Sequence, residues 1–361
     1  MIFEVNRQDY RETRAIEPSE APLEENQIRM RLERFAVTTN NITYAVAGDM
    51  LDYWGFFPTD APWGRIPVMG LATITESAHP EIDTGGRYFG FYPMADEHVL
   101  TARPSSDGFR DVGDHRSAHA AIYRDFRSVD GDPMFVDDKP DEYLLLWGMF
   151  MTSFLVDDYL ADNDFHGAAQ TLVTSASSKT SISLASCLQR REGHRSIGLT
   201  SARNRAFVEA LGLYDQVITY DEVAELDAST SSALVDMAGN AGVRAAVHQH
   251  FADNLTTSLT VGATHWEAEP DASGPLPGPT PEFFFAPGQS AKRGEEWGPD
   301  ELARRIAAAF HALLDTTDDW LTVEHRTGAD GVEATYRDLL EGRADPAVGY
   351  VCAMDAATLA E

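Results

Sequence analysis

Cysteine and lysine are scarce in this chain of 361 residues. Cys187 and Cys352 lie far apart, so they provide neither a disulfide framework nor a cysteine-rich zinc lobe. The lysines are Lys139, Lys179 and Lys292, and the other basic residues are arginines. Since 58 acidic residues outweigh 28 basic ones, the formal net charge is −30. Such a charge argues against a nucleic acid or an anionic membrane as partner, because either would need a basic face.

Long apolar runs are also missing. No stretch of about eighteen uncharged apolar residues occurs, which is the length that a membrane-spanning helix requires. The longest apolar segment, residues 143–156, is interrupted by Gly148, Thr152 and Ser153 and has acidic residues on both sides. It predicts a buried helix. The beginning, Met1–Val5, is too short and too acidic to start a signal peptide, so we expect a cytoplasmic protein.

Residues 170–205 contain the most informative pattern. Leu172–Thr174 is a β-branched apolar run typical of a buried strand, and it is followed by the small hydroxyl residues of SASSKTS. Helical spacing begins at Ile182, and Ser196–Thr200 predicts a second strand. In a right-handed βαβ unit of this kind, the turn lies at the carboxyl edge of the sheet, where helix N-terminal amides favour a phosphate.

Two phosphate-binding templates compete for this turn. In the dinucleotide template G-x-G-x-x-G, the glycine positions are occupied by Ala176, Ser178 and Ser181, which are all small. The nucleoside-triphosphate template G-x-x-x-x-G-K-[ST] matches only Ser178-Lys179-Thr180, and both of its glycines are missing.

The stretch after the second predicted strand bears on the choice of cofactor. A free ribose 2′-hydroxyl is usually held by an acidic residue about twenty residues beyond the glycines, whereas an arginine accommodates a 2′-phosphate. Residues 200–204 contain Arg203 and no acid. A bound dinucleotide is therefore expected to be NADPH; alternatively, Arg203 lies on a solvated helix start.

LVTSASSKTSISLAS followed by IGLTSARNRAFVEALGLYDQVITYDEV resembles the nucleotide-binding half of the medium-chain dehydrogenase/reductase superfamily, in its zinc-free, quinone-oxidoreductase-like branch. The resemblance implies an α/β fold, in which a Rossmann-like doubly wound parallel sheet is joined to a β-rich GroES-like domain. The implied domains are a GroES-like catalytic domain over residues 1–138, a nucleotide-binding domain over 139–268, and a return to the first domain over 269–361. It also implies a possible homodimer.

The expected NADPH contacts combine the turn, the ends of the predicted strands and the positions that the resemblance supplies. They are Thr152, Ser175, Ala176, Ser178, Lys179, Thr180, Ser181, Thr200, Ser201, Arg203, Gly239, Gly262 and Ala263.

The resemblance further implies hydride transfer from NADPH to a carbonyl, an enone or a quinone. Residues 39–41, where zinc-dependent relatives carry a cysteine, read Thr-Asn-Asn, and residues 70–72 read Gly-Leu-Ala in place of Gly-His-Glu. Without zinc, the substrate oxygen would be polarised by hydrogen-bond donors. The candidate donors are Asn41, Tyr44 and His265. The alternative roles are a turn residue for Asn41, a core aromatic for Tyr44 and a histidine at a strand end for His265.

Other segments predict architecture. Met1–Val5 predicts an edge strand, and the alternation of residues 27–38 predicts a strand with one buried face. Residues 103–138 are an insertion relative to the family pattern, and we expect either a lid or an exposed loop. Phe283–Phe285 are expected to cover a pocket, a subunit contact or the core. Pro299 opens a predicted amphipathic helix.

Two further functions remain open from the sequence. A protein that has lost catalysis but still binds a nucleotide or metabolite would explain the replaced glycines. A nucleoside triphosphatase would need an acid for magnesium at a neighbouring strand end, and Asp236 is the obvious candidate.

Overall fold

A computed structural model describes residues 1–18, 21–261 and 276–359. The chain forms two compact units: Met1–Leu145 together with Leu321–Glu361, and Leu146–Trp320.

The strands, in chain order, are β1 (Ile2–Asn6), β2 (Thr13–Ile16), β3 (Gln27–Val37), β4 (Trp63–Gly64), β5 (Pro67–Ser77), β6 (Gly85–Pro93), β7 (Glu97–Ser105), β8 (Gly108–Asp111), β9 (Asp125–Ser128), β10 (Gln170–Val173), β11 (Arg195–Thr200), β12 (Gln216–Thr219), β13 (Ser232–Asp236), β14 (Leu255–Thr260), β15 (Glu282–Phe283), β16 (Thr322–Thr327) and β17 (Val348–Ala353). The helices are α1 (Thr39–Val46), α2 (Pro140–Asp162), α3 (Lys179–Leu188), α4 (Arg205–Ala210), α5 (Ala241–Phe251), α6 (Ala286–Trp297), α7 (Pro299–Leu314), α8 (Thr317–Trp320) and α9 (Gly328–Leu340).

The first unit is built on a β-barrel. Its main sheet has the order β16-β17-β3-β5-β6-β9-β8-β7, and a further pairing of β3 with β7 closes the ring. The predicted alternation in β3 is confirmed, since Ile28, Met30 and Leu32 are buried between more exposed residues. This β-rich unit confirms the GroES-like half of the expected fold.

Two predictions for this unit are wrong. β1 is not an edge strand, because β2 pairs along one side of it and the two-residue strand β4 along the other. The exposed-loop alternative for residues 103–138 is also wrong, because β8 and β9 are strands of the barrel itself. Backbone pairing with distant strands determined both placements.

The second unit contains the predicted parallel sheet. In the described residues its order is β12-β11-β10-β13-β14-β15, and all neighbouring strands run parallel. The order in which strands are added to the sheet therefore reverses between β10 and β13, which is the point where such sheets bind ligands. One face is covered by a cluster of buried side chains, namely Leu172, Ile197, Leu199, Ile218, Val223, Leu226, Leu234, Val247, Phe251 and Leu255.

The second unit extends further along the chain than predicted. We expected the return to the first domain at residue 269, but it begins at Leu321. The physical reason is that β15 pairs with β14 in the parallel sheet, and the predicted amphipathic helix, α7, packs through Phe310 on Trp147 and Phe150.

The predicted buried helix is α2, which contains the apolar segment of residues 143–156. By length and composition alone it could cross a membrane, but 67% of its most apolar window is buried inside the protein. A core helix has this property.

Candidate functional site

The turn between β10 and α3 lies at the carboxyl edge of the parallel sheet and contains no glycine. Ser175 adopts a φ of +52°, in the left-handed region that glycine tolerates most easily. The Ala176 amide donates to the Leu199 carbonyl at 3.0 Å, which fixes the turn against β11. Ser178 is the N-cap of α3, which begins at Lys179, earlier than the helical spacing predicts. The strained position is therefore Ser175 and not one of the three positions that the template predicts.

Hydroxyl groups hold this turn together. The Ser178 Oγ accepts from the Ser181 amide at 3.2 Å and lies 3.0 Å from the Ser181 Oγ. The Ser181 Oγ donates to the Thr174 carbonyl at 2.9 Å. On α2, the Ser153 Oγ lies 2.7 Å from the carbonyl of Thr180. Ser178 and Ser181 therefore have structural roles in the turn, and Ser153 joins them although the sequence analysis did not single it out.

Two tyrosines contact the same turn. The Tyr220 hydroxyl accepts from the Ser175 amide at 3.2 Å. The Tyr214 hydroxyl lies 3.2 Å from the Ala176 carbonyl and 3.0 Å from the Ser181 carbonyl. Burial raises the pKa of both tyrosines, so both hydroxyls remain protonated at neutral pH. Neither residue was predicted, because each is distant from the turn in the sequence.

The loop after β11 is tied to the turn. Arg203 lies in a short helix, Ala202–Asn204, and the Asn204 side-chain amide donates to the Ser177 Oγ at 2.9 Å. At the end of β11, the buried Thr200 Oγ1 has no hydrogen-bond partner among the described residues. The structure therefore brings the predicted Lys179, Thr200 and Arg203 to one edge of the parallel sheet.

The nearest acidic groups downstream of this loop are already engaged. Arg205 pairs with Glu222 at 2.7 Å and with Glu209 at 2.8 Å. Together with the backbone amide of Thr219, this arginine holds the pKa of Glu222 below its ordinary value. Glu222 is therefore occupied by protein groups.

Asp236, at the end of β13, is saturated with hydrogen bonds. Its Oδ1 accepts from the Thr174 hydroxyl at 2.8 Å and from the amides of Ala238 and Gly239, each at 3.1 Å. Its Oδ2 accepts from Arg244 at 3.1 Å. A carboxylate used in this way shapes the turn that follows β13, where Gly239 has a φ of +66°. It is a poor magnesium ligand because few of its lone pairs remain.

In the first unit, Asn41 is a capping residue. Its Oδ1 accepts from the Thr38 amide at 2.7 Å, and its Nδ2 donates to the Pro67 carbonyl at 2.9 Å. The buried side chain therefore stabilises the start of α1. The side-chain oxygen and one N–H of Asn41 are therefore used within the protein, and its role in polarising a substrate stays a prediction.

Tyr44 lies in an aromatic cluster of the same unit. Its ring is 4.4 Å from that of Tyr53 and 6.4 Å from that of Phe91, and Tyr53 contacts Tyr123 at 6.1 Å. Burial raises the pKa of Tyr44 and of Tyr53, which keeps both phenols protonated. Neither Tyr53 nor Tyr123 is among the predicted site residues.

The inserted segment contributes a buried charge to this unit. Arg116 is fully buried and donates to the Phe56 carbonyl at 2.9 Å, with Asp111 3.6 Å away. Burial lowers the pKa of Arg116 to about 10. His119 lies 3.0 Å from Asp52. Arg116 and His119 of this segment are thus both buried.

The remaining predicted site residues have no described contact with the turn. His265, Gly262 and Ala263 lie outside the described residues. Thr152 is half-buried on α2, and Ser201 precedes the short helix of Arg203. A search of the described ranges finds no group of three His, Cys, Asp or Glu side chains that could hold a metal ion.

A cleft lies elsewhere, at the end of α3 opposite the turn. It has a volume of 670 Å³ and is lined by residues of α2, α6 and α7 and by the stretch around the C-terminus of α3. Most of its arginines are engaged in ion pairs: Arg191 with Asp157, Arg293 with Asp158 at 2.7 Å, and Arg304 and Arg305 with Glu301. The lining therefore stabilises the helix packing and leaves little charge for a ligand.

A family model now identifies the chain. The model described as "Protein of unknown function (DUF2855)" matches residues 35–345, which is most of the sequence. The chain belongs to the DUF2855 family. A sequence comparison of this DUF2855 member with curated proteins gives no match.

Solved structures show which fold this DUF2855 protein has. CurA from Vibrio vulnificus is 13% identical, with a TM-score of 0.61 over 98% of this chain and 99% of its own. E. coli K-12 YhdH with bound NADPH is 12% identical, with a TM-score of 0.58 over 98% and 100%. Haloferax mediterranei glucose dehydrogenase in complex with NADP, Zn and gluconolactone is 10% identical, with a TM-score of 0.55 over 98% and 99%. The DUF2855 protein therefore has the medium-chain dehydrogenase/reductase fold, as the resemblance implied.

Proposed function

We propose that this protein is an NADPH-dependent oxidoreductase that reduces a carbonyl, an enone or a quinone without zinc. The observation that carries the proposal is the hydrogen bond between Asn204 and Ser177, which joins the loop of Arg203 to the turn that precedes Lys179. Two cationic side chains thereby belong to one connected edge of the parallel sheet, and residues 200–204 contain no acid. That combination suits a pyrophosphate and a 2′-phosphate. CurA and YhdH, which share the fold, have both been crystallised with NADPH.

The residues present fit this cofactor. The N-terminal end of α3 suits the pyrophosphate, with Lys179 as the adjacent cation, and the Ser178 side chain caps the Ser181 amide there. Arg203 and Ser201 suit the 2′-phosphate. The unpartnered buried hydroxyl of Thr200 is a further polar group at this edge. Gly239 allows the backbone after β13 to turn with a positive φ, at the point where the sheet order reverses.

The substrate side of the reaction is assigned to the aromatic cluster of Tyr44, Tyr53 and Tyr123. NADPH, when bound, supplies the hydride that the reduction needs. Because burial keeps Tyr44 and Tyr53 protonated, these residues donate hydrogen bonds to a carbonyl oxygen and do not act as bases. Tyr44 was predicted for this role. Tyr53 joins it because its ring packs on that of Tyr44, and Tyr123 because its ring packs on that of Tyr53.

Replacement of Arg203 tests the choice of cofactor. We expect Arg203→Ala to weaken NADPH binding by about 10-fold to 100-fold, because a charge-assisted contact to phosphate contributes roughly 1.5–3 kcal/mol. NADH affinity should stay within about twofold, since NADH lacks the 2′-phosphate. Titration with both cofactors, followed by nucleotide fluorescence, measures the two dissociation constants.

Arg205→Ala is the matched control. It removes the arginine at the start of α4, which pairs with Glu209 and Glu222. It should leave the ratio of NADPH to NADH affinity unchanged. If wild-type protein binds neither nicotinamide cofactor, the proposal is wrong.

A protein that binds a nucleotide without catalysis is the second candidate. The observation in its favour is that Ala176, Ser178 and Ser181 replace the glycines of the dinucleotide template. Carbonyl, enone and quinone substrates tested under NADPH oxidation separate the two functions. A triphosphatase has less support, because protein donors occupy the carboxylate of Asp236.

The homodimer also remains a proposal. Phe283 and Phe285, which flank the end of the edge strand β15, are 74% and 64% exposed, whereas Phe284 is buried. Exposed aromatic pairs of this kind suit a subunit contact, and sedimentation equilibrium measures the assembly state.

A further inference from the structure

We propose that the hydroxyl groups of Tyr214 and Tyr220 replace the missing glycines, by holding the β10–α3 turn in its ligand-binding shape before a cofactor arrives. This inference rests on the proposed function and names the residues that position its phosphate turn. Both tyrosines are positioning residues and act through the backbone of the turn.

The turn needs such support because of Ser175. A residue with a Cβ at a φ of +52° is strained relative to an extended conformation, whereas glycine is not. Strain of this kind persists only where surrounding contacts over-determine the backbone. The Ser175 amide donates to the Tyr220 hydroxyl at 3.2 Å, so this bond fixes the peptide that begins the strained residue.

Tyr214 fixes the other side of the same turn. Its hydroxyl lies within hydrogen-bonding distance of two carbonyls, at 3.2 Å from Ala176 and 3.0 Å from Ser181. These carbonyls belong to the turn and to the first turn of α3, so one phenol connects both.

Gly198 makes room for this arrangement. A Cβ at residue 198 would lie 3.0 Å from the ring of Tyr214 and 3.1 Å from the Cβ of Ala176, which is tighter than most real contacts. The β11 strand therefore carries a glycine where the tyrosine ring and the turn meet. The small residue that the dinucleotide template places in the turn is here found on the neighbouring strand.

The consequence is a turn that is organised before binding. A flexible phosphate loop must be ordered when the ligand binds, which reduces affinity, whereas a pre-organised loop avoids that cost. The serines of the turn use their hydroxyls internally, and the tyrosines complete the set of bonds that a glycine-rich turn does not need.

The test combines two measurements on the full-length protein. Amide hydrogen exchange of residues 175–181 is followed by mass spectrometry in the free protein, and NADPH affinity is measured by fluorescence titration. Tyr214→Phe and Tyr220→Phe keep the rings and remove the hydroxyls. We expect exchange in this segment to become about threefold to tenfold faster and the NADPH dissociation constant to rise by a similar factor, as the loss of one hydrogen bond predicts.

Tyr159→Phe is the matched control. Tyr159 lies in the same unit and packs on His166 and Phe284, away from the turn. It should change neither measurement.

A rescue experiment separates positioning from general damage. Ser175→Gly removes the backbone strain, so it should reduce the effect of Tyr220→Phe on NADPH affinity to about twofold or less in the double variant. If Tyr220→Phe weakened NADPH binding by damaging the fold in general, Ser175→Gly would not restore the affinity.

The outcomes separate the two proposals. Unchanged exchange and unchanged affinity in both tyrosine variants, with NADPH binding by the wild type, would overturn this inference and leave the proposed function standing. Faster exchange in the tyrosine variants, together with a wild type that binds no NADPH, would overturn the proposed function and, with it, the role of Tyr214 and Tyr220 in cofactor binding. Faster exchange together with weaker binding and rescue supports both.

Discussion

At the scale of single residues, the turn between β10 and α3 shows how side-chain hydrogen bonds support a backbone turn in which the glycines are replaced. Ser178 and Ser181, which occupy glycine positions of the template, both form side-chain hydrogen bonds within the turn. The cost falls on Ser175, whose backbone is strained. A chain can accept that cost where other side chains supply hydrogen bonds.

His98 is the residue whose burial affects stability as a function of pH. Its ring packs on Phe57 and Tyr92, and its buried Nε2 has no hydrogen-bond partner among the described residues. Burial, assisted by the positive charge of Arg116, lowers the pKa of His98 to about 3. The folded protein therefore keeps His98 neutral at pH values where the unfolded chain, with an ordinary pKa near 6.5, binds a proton.

Because the folded-state pKa is depressed, the stabilisation is complete above about pH 6.5 and is lost progressively as the pH falls toward 3. The slope is at most about 1.4 kcal/mol per pH unit. We expect His98→Leu to be less sensitive to acid, by up to that slope, in urea unfolding at pH 7.5, 6 and 5. Parallel curves for wild type and variant would show that His98 is protonated normally in the folded state.

At the scale of secondary-structure elements, ends and connections determine the site more than the elements themselves. α3 begins at a serine cap, and α1 begins at a reciprocal cap between Thr38 and Asn41. Such caps satisfy amides that a helix cannot bond internally. A polar residue at the start of a helix is therefore ambiguous from the sequence, since capping and catalysis use the same side chains.

The role of Asn41 can be tested at this scale. Asn41→Ala removes both the cap of α1 and the donor to Pro67, so we expect the free energy of unfolding to fall by about 1–3 kcal/mol. NADPH affinity should remain within about twofold, since the side chain lies in the first unit and the proposed cofactor residues lie in the second. Denaturant unfolding and cofactor titration give the two values.

Asn41→Asp provides a comparison, because it keeps the acceptor for the Thr38 amide and loses the donor to Pro67. Loss of turnover in Asn41→Ala at unchanged stability would instead indicate a catalytic role.

At the scale of the whole molecule, charge is the dominant feature. The net charge of −30 produces self-repulsion in the compact state, while arginines pair with acids on the surface within each unit. Exposed ion pairs of this kind contribute little individually, and salt weakens them. Repulsion among the excess carboxylates acts over longer distances and is also screened by salt.

We expect the repulsion to outweigh the ion pairs, because 58 acidic residues face only 28 basic ones. Raising sodium chloride from about 0.05 M to about 1 M should therefore raise the melting temperature by roughly 2–4 °C, the shift that about 1 kcal/mol produces in a domain of this size. Differential scanning calorimetry measures it, with sucrose as an uncharged control. A melting temperature that falls with salt would mean that the ion pairs dominate.

The sequence by itself determined the features that depend on neighbouring residues. Alternation predicted β3, the apolar run predicted the long buried helix α2, and the strand, turn and helix around Lys179 predicted the phosphate edge. The presence of Arg203 without a nearby acid pointed to NADPH. Side-chain periodicity and local turn chemistry carry this information, so a single segment suffices to read it.

Only the tertiary structure decided which distant segments meet. It assigned β8 and β9 of the inserted segment to the barrel, extended the second unit to Trp320, and made Asn41 a cap. It also brought the hydroxyls of Tyr214 and Tyr220 to the turn. These outcomes depend on hydrogen bonds between residues that are far apart in the chain, and local patterns do not specify such pairings.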